Sequence, residues 1–459
     1  MKLTIKKLGR IQSAEIDIRP LTVFIGPNST NKTWVAYLLY GYVQILSQTM
    51  SSESDPYSPT TIEENQDFWE LLRKMISPVL EALTAEPAPV RVECSLGVRQ
   101  LLEKSSPDRT LKFDAPTIGQ FLGMPPQRVE EASTSFEFQK QEFTSPATAL
   151  DVVFERSLNR LQIKVTRRRS AGESESSETT ASFSYVDDAW TEQKILNAVW
   201  TQLHYNVDHV IVFPAERNAL LSFWSLLNAT SRAGTPFPVS DFSKFLGVAQ
   251  TSPTATSMSR TQNQLLVLLR NVTGGEIAYT SEGERKYLVF RSGKSEVPIQ
   301  AAASLSRALA GLSLYVERFF QPGDVLIIDE LEMNAHPQAQ IALTEFIAAL
   351  VNSGIRVVFT THSPYIVDHL NNLMEASRAP AAKQAALAEK FALRTTSSFI
   401  SPEKVAVHAF EEDAPGGNVS VRDVLNRDTG LIDWSTFSRV SEHIANLYGD
   451  ILRASEDDA

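Results

Sequence analysis

The stretch VFIGPNSTNKTWVAYLLYG, residues 23–41, decides the fold class of this chain. Its first residues belong to the apolar run LTVFI, which is typical of a buried β-strand. Gly26 and Pro27 end that run, and from Thr33 the residues are apolar on most sides, which predicts a buried helix. Strand, loop and helix in this order predict an α/β protein with a phosphate-binding loop of the pattern G-x-x-x-x-G-K-[ST].

The loop GPNSTNKT supplies the groups that bind a nucleotide. Backbone amides at a helix N-terminus wrap the phosphates, and the helix dipole favours the anion. We expect Lys32 to reach the β and γ phosphates of ATP and the Thr33 hydroxyl to hold Mg²⁺. The predicted nucleotide-binding residues are Gly26, Pro27, Asn28, Ser29, Thr30, Asn31, Lys32 and Thr33.

Asn31 departs from the pattern because it stands where the second glycine belongs. That glycine is needed for its backbone torsions and for the close approach of a phosphate. Asn is the residue besides glycine that best tolerates the left-handed region, so the loop remains compatible with binding. The alternative is an ordinary Asn- and Ser-containing turn between a strand and a helix.

A second element is VLIIDELEMNAHP, in which Asp329 and Glu330 follow a buried strand. Burying carboxylates is costly, so a functional reason is expected. We predict that Asp329 meets a hydrated Mg²⁺ and that Glu330 polarises the attacking water. A strand that merely ends in charged residues at the surface is the alternative, and the phosphate loop weakens it.

The third element is VVFTTHSPYIVDHL, with His362 just past another buried strand. Ser363 and Pro364 predict a helix start as N-cap and first-turn proline. We predict that this strand neighbours the strand before Asp329 and that His362 contacts the γ-phosphate. A hydrogen-bonded structural histidine is the alternative.

Together, GPNSTNKT, DELEMNAHP and TTHSP resemble the ABC-type ATPase heads of the SMC and RecF group. They are similar above all to the AAA subset related to the overcoming-lysogenization-defect (OLD) ATPases. The resemblance covers about 1–48 and 200–375. It implies an α/β ABC-type P-loop NTPase head with an antiparallel β subdomain, a mixed and mainly helical insertion, and a small α+β C-terminal extension.

The expected organisation has four parts. They are the N-terminal part of the head at 1–48, the insertion at 49–200 with a low-complexity tip at 170–182, the C-terminal part of the head at 201–375, and the extension at 376–459.

The resemblance also implies a signature sequence, which AAASLSRALAGLSLYV matches in part. Ser304 fits the signature serine, which contacts in trans the γ-phosphate bound to the other subunit, but Leu305 replaces the glycine. A helix cap is the alternative role for Ser304. Residues 334–337 match the D-loop of the dimer interface. A homodimer or higher even oligomer follows from the resemblance, and no Q-loop glutamine can be placed.

The element FPAER resembles a segment of the same ATPases. Its Glu216 and Arg217 either line the nucleotide or partner interface or form an ordinary surface ion pair. The one basic run, KVTRRRS at 164–170, either contacts a nucleic-acid backbone or ends a solvated strand.

The composition excludes several classes of protein. The net charge of -11 over 459 residues argues against a surface that coats nucleic acid. The single cysteine, Cys94, excludes an intrachain disulfide and a cysteine metal cluster and fits a cytoplasmic protein. The N-terminus lacks the apolar region of a signal peptide, and no run approaches the roughly 18 apolar residues of a membrane span.

Three functions remain open. The first is a switch ATPase that controls a separate effector, a nuclease or toxin, as the resemblance to ATPase subunits of the PARIS and Septu anti-phage systems implies. The segment after His362 is too short for the toprim nuclease domain of OLD nucleases, so no nuclease is expected in this chain. The second is a RecF-like DNA repair ATPase that binds DNA directly. The third is a nucleotide-binding scaffold with little turnover, which Asn31 and Leu305 keep open.

Overall fold

The computed structural model of the protein describes residues 1–47, 66–85, 89–97, 108–125, 128–139, 147–157, 160–169, 179–186, 192, 195–196, 210–222, 236–251, 258–282, 285–414, 416–433, 443–451 and 453. These residues form an α/β structure. The strands are β1 (Lys2–Leu8), β2 (Ile11–Asp17), β3 (Leu21–Ile25), β4 (Val90–Gly97), β5 (Asp108–Phe113), β6 (Ser133–Gln139), β7 (Ala147–Ser157), β8 (Arg160–Arg169), β9 (Thr179–Val186), β10 (Val210–Phe213), β11 (Glu276–Glu282), β12 (Arg285–Ser292), β13 (Ser295–Pro298), β14 (Val325–Ile328), β15 (Arg356–Thr361), β16 (Val405–Glu412) and β17 (Val419–Asp423). The α-helices are α1 (Lys32–Ser47), α2 (Gln66–Ala85), α3 (Ala115–Leu122), α4 (Arg217–Ser222), α5 (Phe237–Thr251), α6 (Arg260–Thr273), α7 (Ser304–Ala308), α8 (Ala310–Arg318), α9 (Pro337–Asn352), α10 (Pro364–Arg378) and α11 (Ala381–Ala388), and residues 443–451 are helical as well.

The central sheet has ten strands in the order β10-β14-β15-β3-β16-β17-β2-β1-β6-β5. β10, β14, β15, β3 and β16 run parallel, and antiparallel pairs predominate beyond them. The strands VIVF, VLII and LTVFI are buried at every position. Continuous apolar runs of this kind are expected where helices cover both faces of a parallel sheet.

Strand β3 shows how the two faces are covered. Phe24 packs in the core that contains helix α1, while Val23 and Ile25 pack in the core that contains helices α9 and α10. The alternation follows from the two-residue period of a strand. Helices therefore fill both faces, and the loops at the carboxyl edge of the sheet are left to form a site.

The antiparallel β subdomain is confirmed as the three-stranded sheet β11-β12-β13. The strands belong to the sequence GEIAYTSEGERKYLVFRSGKSEVPI, residues 275–299.

The described residues of the insertion are mainly β-strand, where the sequence analysis expected a mainly helical segment. β4, β7, β8 and β9 form a separate four-stranded sheet, while β5 and β6 extend the central sheet through the pairing of β6 with β1. The strand signal was present in RLQIKVTRRR, where buried Leu161 and Ile163 alternate with polar residues. The basic residues that follow Ile163 obscured that alternation.

The low-complexity tip at 170–182 lies only in part within the described residues. Residues 179–182 begin strand β9, and Ala181 pairs with Val165 of β8. The last four residues of the expected tip are therefore part of a sheet. The basic run at 164–170 overlaps the end of strand β8.

The segment after residue 375 contributes to the central sheet. Strand β16 pairs in parallel with β3 and antiparallel with β17. Its first six residues are all buried, as expected for an interior strand. The expected extension thus supplies an inner strand of the head, and the domain boundaries themselves remain predictions. Among the helices of the described segments, none is long and apolar enough to cross a membrane.

Candidate functional site

The three segments singled out in the sequence meet at one edge of the central sheet. The loop 26–33 follows β3, the acidic pair follows β14, and His362 follows β15. β15 pairs in parallel with both β14 and β3, which confirms the predicted neighbourhood of the strands before Asp329 and His362. Because parallel strands end at the same edge, their following loops converge, which is where ligands bind in α/β sheets.

Gly26 is required by the approach of another strand. Its φ is 141°, and a Cβ at this position would lie 2.3 Å from the carbonyl oxygen of Phe410 in β16. A side chain here would push the loop and β16 apart. The sequence predicted a glycine for phosphate binding, and packing against β16 is a second reason for it.

Asn31 adopts the left-handed conformation that the sequence argument required. Its φ is 66°, and that of Ser29 is 63°. The Asn31 Oδ1 atom accepts a hydrogen bond from the backbone N–H of Arg10 at 3.1 Å. Asn31 therefore ties the loop to the turn between β1 and β2, which glycine could not do.

Arg10 is a loop contact that the sequence analysis did not identify. Its Nη1 atom donates to the Ser29 carbonyl oxygen at 3.2 Å and pairs with Glu412 at 2.7 Å. Its Nε atom donates to the Gly417 carbonyl oxygen at 2.7 Å. Arg10 thus connects the loop to the turn between β16 and β17. Nothing in the local sequence signals this role, because its partners lie far along the chain.

Lys32 is held within the loop. Its Nζ atom donates to the carbonyl oxygens of Gly26 at 3.0 Å and Pro27 at 2.6 Å and to the Thr30 hydroxyl at 3.2 Å. Burial lowers the pKa of Lys32 to about 8, although nearby carboxylates, Asp329 first among them, oppose this shift. The ammonium group therefore stays largely charged at neutral pH, as a phosphate ligand must.

Thr33 and Asp329, the two predicted metal ligands, are in direct contact. The Thr33 hydroxyl donates to Asp329 Oδ1 at 3.0 Å, and the Thr360 hydroxyl donates to the same oxygen at 2.6 Å. Hydroxyl and carboxylate oxygens are the hard ligands that Mg²⁺ prefers. Thr360, at the end of β15, was missed, although a hydroxyl residue closing an apolar strand beside His362 was a usable signal.

Glu330 stands in a strained turn immediately after Asp329. Its φ is 49°, and its backbone N–H donates to the Thr360 hydroxyl at 2.8 Å. Burial raises the pKa of the Glu330 carboxyl, and the negative charges of Asp329 and Glu332 raise it further. A carboxylate with a raised pKa is a better proton acceptor, which suits a general base.

His362 lies beside the loop, and a second acid holds its backbone. The His362 N–H donates to Glu332 Oε1 at 2.5 Å. Burial and then the charge of Lys32 lower the pKa of the imidazole, while a hydrogen bond to the Gly26 backbone opposes the shift. His362 is therefore neutral at neutral pH. Glu332 lies in the motif DELEMNAHP, its Oε2 atom is buried without a hydrogen-bond partner, and no role was predicted for it.

Ser363 caps the helix that follows, as predicted. Its hydroxyl oxygen accepts from the Ile366 N–H, and Pro364 is the first helical residue of α10. The Ser363 hydroxyl also donates to the side chain of Gln340, whose amide nitrogen binds the Ala335 carbonyl oxygen at 2.8 Å. This links the His362 loop to the segment 334–337, where Asn334 has a φ of 62° and His336 caps α9.

Ser304 is the first residue of helix α7, and Ala303 rather than Ser304 is the N-cap. The helix-cap alternative for Ser304 is therefore wrong. Ser304 is half-buried, and its expected contact is with the nucleotide of a second subunit.

Arg217 corrects the interpretation of FPAER. Glu216 is exposed, but Arg217 is only 2% exposed and binds four backbone carbonyl oxygens. Arg217 is therefore not part of a surface ion pair, and its side chain does not lie on a partner interface. Sequence reasoning missed this because a buried arginine among carbonyl groups has no local pattern.

Residues 246–367 match the family of the AAA ATPase domain. The matched stretch contains Ser304, the acidic pair and His362, while the phosphate loop precedes it. This match covers less than half of the chain, and it supports ATP binding and hydrolysis. No curated protein matches the chain in sequence.

Among solved structures, the chain is similar to SMC head domains at 10% sequence identity. An SMC head bound to the C-winged helix domain of ScpA aligns over 92% of this chain and 98% of its own, with a TM-score of 0.35. The SMC head domain from Thermotoga maritima aligns over 92% and 98%, with a TM-score of 0.33. An Smc head with an extended coiled coil, bound to the C-terminal domain of ScpA derived from Pyrococcus furiosus, aligns over 97% and 98%, with a TM-score of 0.34.

Proposed function

We propose that this chain is an ATP-hydrolysing switch that dimerises around two ATP molecules and controls a separate effector in bacterial anti-phage defence. One observation carries the ATPase part of this proposal. The Asp329 carboxylate accepts from Thr33 of the phosphate loop at 3.0 Å, and Glu330 follows it in a strained turn at the same edge of the sheet. Phosphate loop, metal ligand and general base are thus neighbours.

The residues present fit ATP with Mg²⁺. Thr33 and Asp329 would hold the metal, which neutralises phosphate charge when bound. Ser29 and Asn31, both left-handed, shape the loop so that successive backbone N–H groups can face an anion. Lys32 offsets the charge of the β and γ phosphates. Glu330 orients a water molecule and accepts its proton, and neutral His362 contacts the γ-phosphate.

The composite site is the part of the proposal that concerns two subunits. Ser304 of one subunit binds the γ-phosphate held by the loop of the other, and residues 334–337 cross the interface. ATP therefore closes the dimer, and hydrolysis opens it. A switch of this kind needs an effector to act on, and a nuclease or toxin encoded by a separate gene is the partner that the resemblance suggests.

Glu330→Gln tests the composite site. The amide keeps the shape of the side chain but cannot accept a proton, so turnover should fall by roughly 10²-fold or more while ATP still binds. ATP would then persist and hold the dimer closed. Light scattering with and without ATP should show an ATP-dependent dimer of Glu330→Gln, and adding Ser304→Arg should abolish it.

The outcomes separate the parts of the proposal. Normal hydrolysis by Glu330→Gln would remove its catalytic role. A stalled variant without Ser304-dependent association would leave a working ATPase but contradict the composite site. A parent protein that binds ATP without turning it over would instead be a scaffold. Salt-dependent binding of the parent to duplex DNA would favour the RecF-like alternative.

A further inference from the structure

Arg217 is a buried cation between two functional segments. Its side chain donates to the carbonyl oxygens of Pro214 at 3.1 Å, Ala308 at 3.2 Å, Asp329 at 2.6 Å and Glu330 at 2.8 Å. Burial lowers the pKa of Arg217 to about 10, and the charges of the three nearby acids oppose this shift. The guanidinium therefore stays charged at neutral pH and depends on these carbonyl groups.

At one end, the Arg217 side chain fixes the acidic turn, which contains Asp329 and Glu330. A φ of 49° is unusual for a residue other than glycine, and such a conformation costs about 1–3 kcal/mol unless its surroundings enforce it. Arg217 binds the carbonyl oxygens of Asp329 and Glu330 in succession, while Thr360 binds the Glu330 N–H at 2.8 Å. Both peptide groups of Glu330 are therefore held, which fixes the backbone from which its side chain extends.

At the other end, the Arg217 side chain contacts helix α7, which begins at Ser304. The Arg217 Nε atom binds the last residue of α7, Ala308. A second contact supports the first, because Arg307 Nε donates to Asn218 Oδ1 at 3.1 Å. The start of α4 thus holds α7 and the acidic turn at once.

We infer that Arg217 is a positioning residue that couples the two ATP sites of the dimer. It ties Glu330, which acts on the ATP of its own subunit, to α7, whose Ser304 acts on the ATP of the partner subunit. When α7 engages the partner's ATP, the Ala308 carbonyl oxygen shifts, and the rigid guanidinium passes that shift to the Glu330 backbone. The inference rests on the proposed composite site.

Arg217→Lys tests the coupling. Lysine keeps the charge but lacks the planar fork that binds several carbonyl oxygens at once. We expect ATP affinity to stay within about threefold, because the loop is untouched, while kcat falls about tenfold or more through misplacement of Glu330. The Hill coefficient for ATP should be above one in the parent and close to one in the variant.

Two further variants make the test specific. Ala308→Gly loosens only the α7 end, so the Hill coefficient should fall while kcat stays within about twofold. Arg318→Lys changes another buried arginine of the head, whose Nη1 atom binds the Ala249 carbonyl oxygen at 3.1 Å. It should lower the melting temperature and leave kcat and the Hill coefficient unchanged.

Three results would overturn the coupling: a parent Hill coefficient of one, an Arg217→Lys protein that loses stability but keeps kcat and cooperativity, or equal kinetic losses in Arg318→Lys. If Arg217→Lys does not fold, Ala308→Gly decides, and an unchanged Hill coefficient contradicts the inference.

A parent that neither turns over ATP nor dimerises with it contradicts the proposed function instead. An active, ATP-dependent dimer without coupling contradicts only this inference.

Discussion

The phosphate-loop side and the acidic side of the site are each held by an arginine, but in different surroundings. Arg10 supports the loop from the rim, where its side chain and that of its partner Glu412 are each 26% exposed. Arg217 supports the acidic turn from the interior, with 2% exposure. Water competes for a partly exposed ion pair, whereas hydrogen bonds in a buried, low-dielectric setting are stronger and costly to lose.

This difference indicates that the phosphate-loop side can change its conformation more readily than the acidic side. The left-handed residues of the loop, Ser29 and Asn31, are tied to Arg10 by contacts of 3.1–3.2 Å at the rim. The left-handed Glu330 is fixed by buried groups on both of its peptide bonds. We therefore expect substitutions on the loop side to change ATP binding and those on the acidic side to change turnover.

Lys32→Ala should give the largest loss of binding. It removes the charge that offsets the β and γ phosphates, so ATP affinity should fall at least tenfold, about 1.4 kcal/mol. Calorimetric titration with ATP measures this. Lys244→Ala is the matched control, because Lys244 is an exposed lysine paired with Asp241. If Lys32→Ala bound ATP like the parent, the site assignment would be wrong.

Thr360→Val should lower turnover rather than ATP affinity. Valine has nearly the same shape but loses the hydrogen bonds to the Asp329 carboxylate and the Glu330 N–H, each worth about 1 kcal/mol. Turnover should fall about tenfold, with ATP affinity within about twofold of the parent. Thr344→Val, which removes a buried hydroxyl bound to the Gln340 carbonyl oxygen, is the control. A loss of affinity as large as the loss of turnover would contradict the division between the two sides.

Substitutions at Asn31 test the backbone torsion of the loop, and their expected effect on ATPase kinetics is smaller. Asn31→Gly should be tolerated, while Asn31→Val should raise KM about fivefold, because a β-branched residue is strained at positive φ. Both variants lose the contact with Arg10, so their difference reports the torsion alone. Equal ATPase kinetics for the two variants would show that the torsion does not matter.

The titration of Lys32 should make both stability and ATP affinity depend on pH. This effect is smaller, but its sign is defined. Its folded pKa is about 8, below the ordinary 10.5, so the unfolded chain holds more protons across that window. The contribution of Lys32 to stability should therefore increase as pH rises from 8 to 10.5. ATP affinity should fall over the same window, because phosphate binding needs the ammonium. Urea unfolding of the parent and Lys32→Met, with parallel ATP titrations, checks both signs.

The smallest effect is expected from a deletion within the low-complexity stretch. Deleting residues 171–177, which connect β8 to β9, should shift the melting temperature by no more than about 2 °C and leave turnover within about twofold. The deletion spares Thr179–Val186, the strand β9. A large loss of stability would show that these residues pack against the rest of the molecule.

The sequence predicted which segments meet at the edge of the sheet, because that meeting follows from local patterns. Lys32, Asp329 and His362 each follow an apolar run that predicts a strand, and parallel strands bring such ends together. The left-handed Asn31 also followed from a local rule, the torsional preference of asparagine.

The contacts that Arg217 and Arg10 make with backbone carbonyl groups elsewhere in the chain were not predicted. The carbonyl oxygens around Arg217 come from three separate segments of the chain, and Arg10 depends on the turn between β16 and β17. The strands of the insertion were missed for a different reason, because in β8 the basic residues that follow Ile163 hide the two-residue period. Ser304 remains a prediction, since its expected partner is in another subunit.

The position of β16 has a consequence for how the protein folds during synthesis. β16 pairs with β3 and packs its Phe410 carbonyl oxygen against Gly26, so the phosphate loop is supported by residues made long after it. Until β16 emerges from the ribosome, that side of β3 is an unpaired strand edge, the kind that attracts other chains. Parallel pairing over such a sequence separation is also slow to form. The nascent chain therefore has a period of aggregation risk that ends only when strand β16, Val405–Glu412, has been synthesised and has paired with β3.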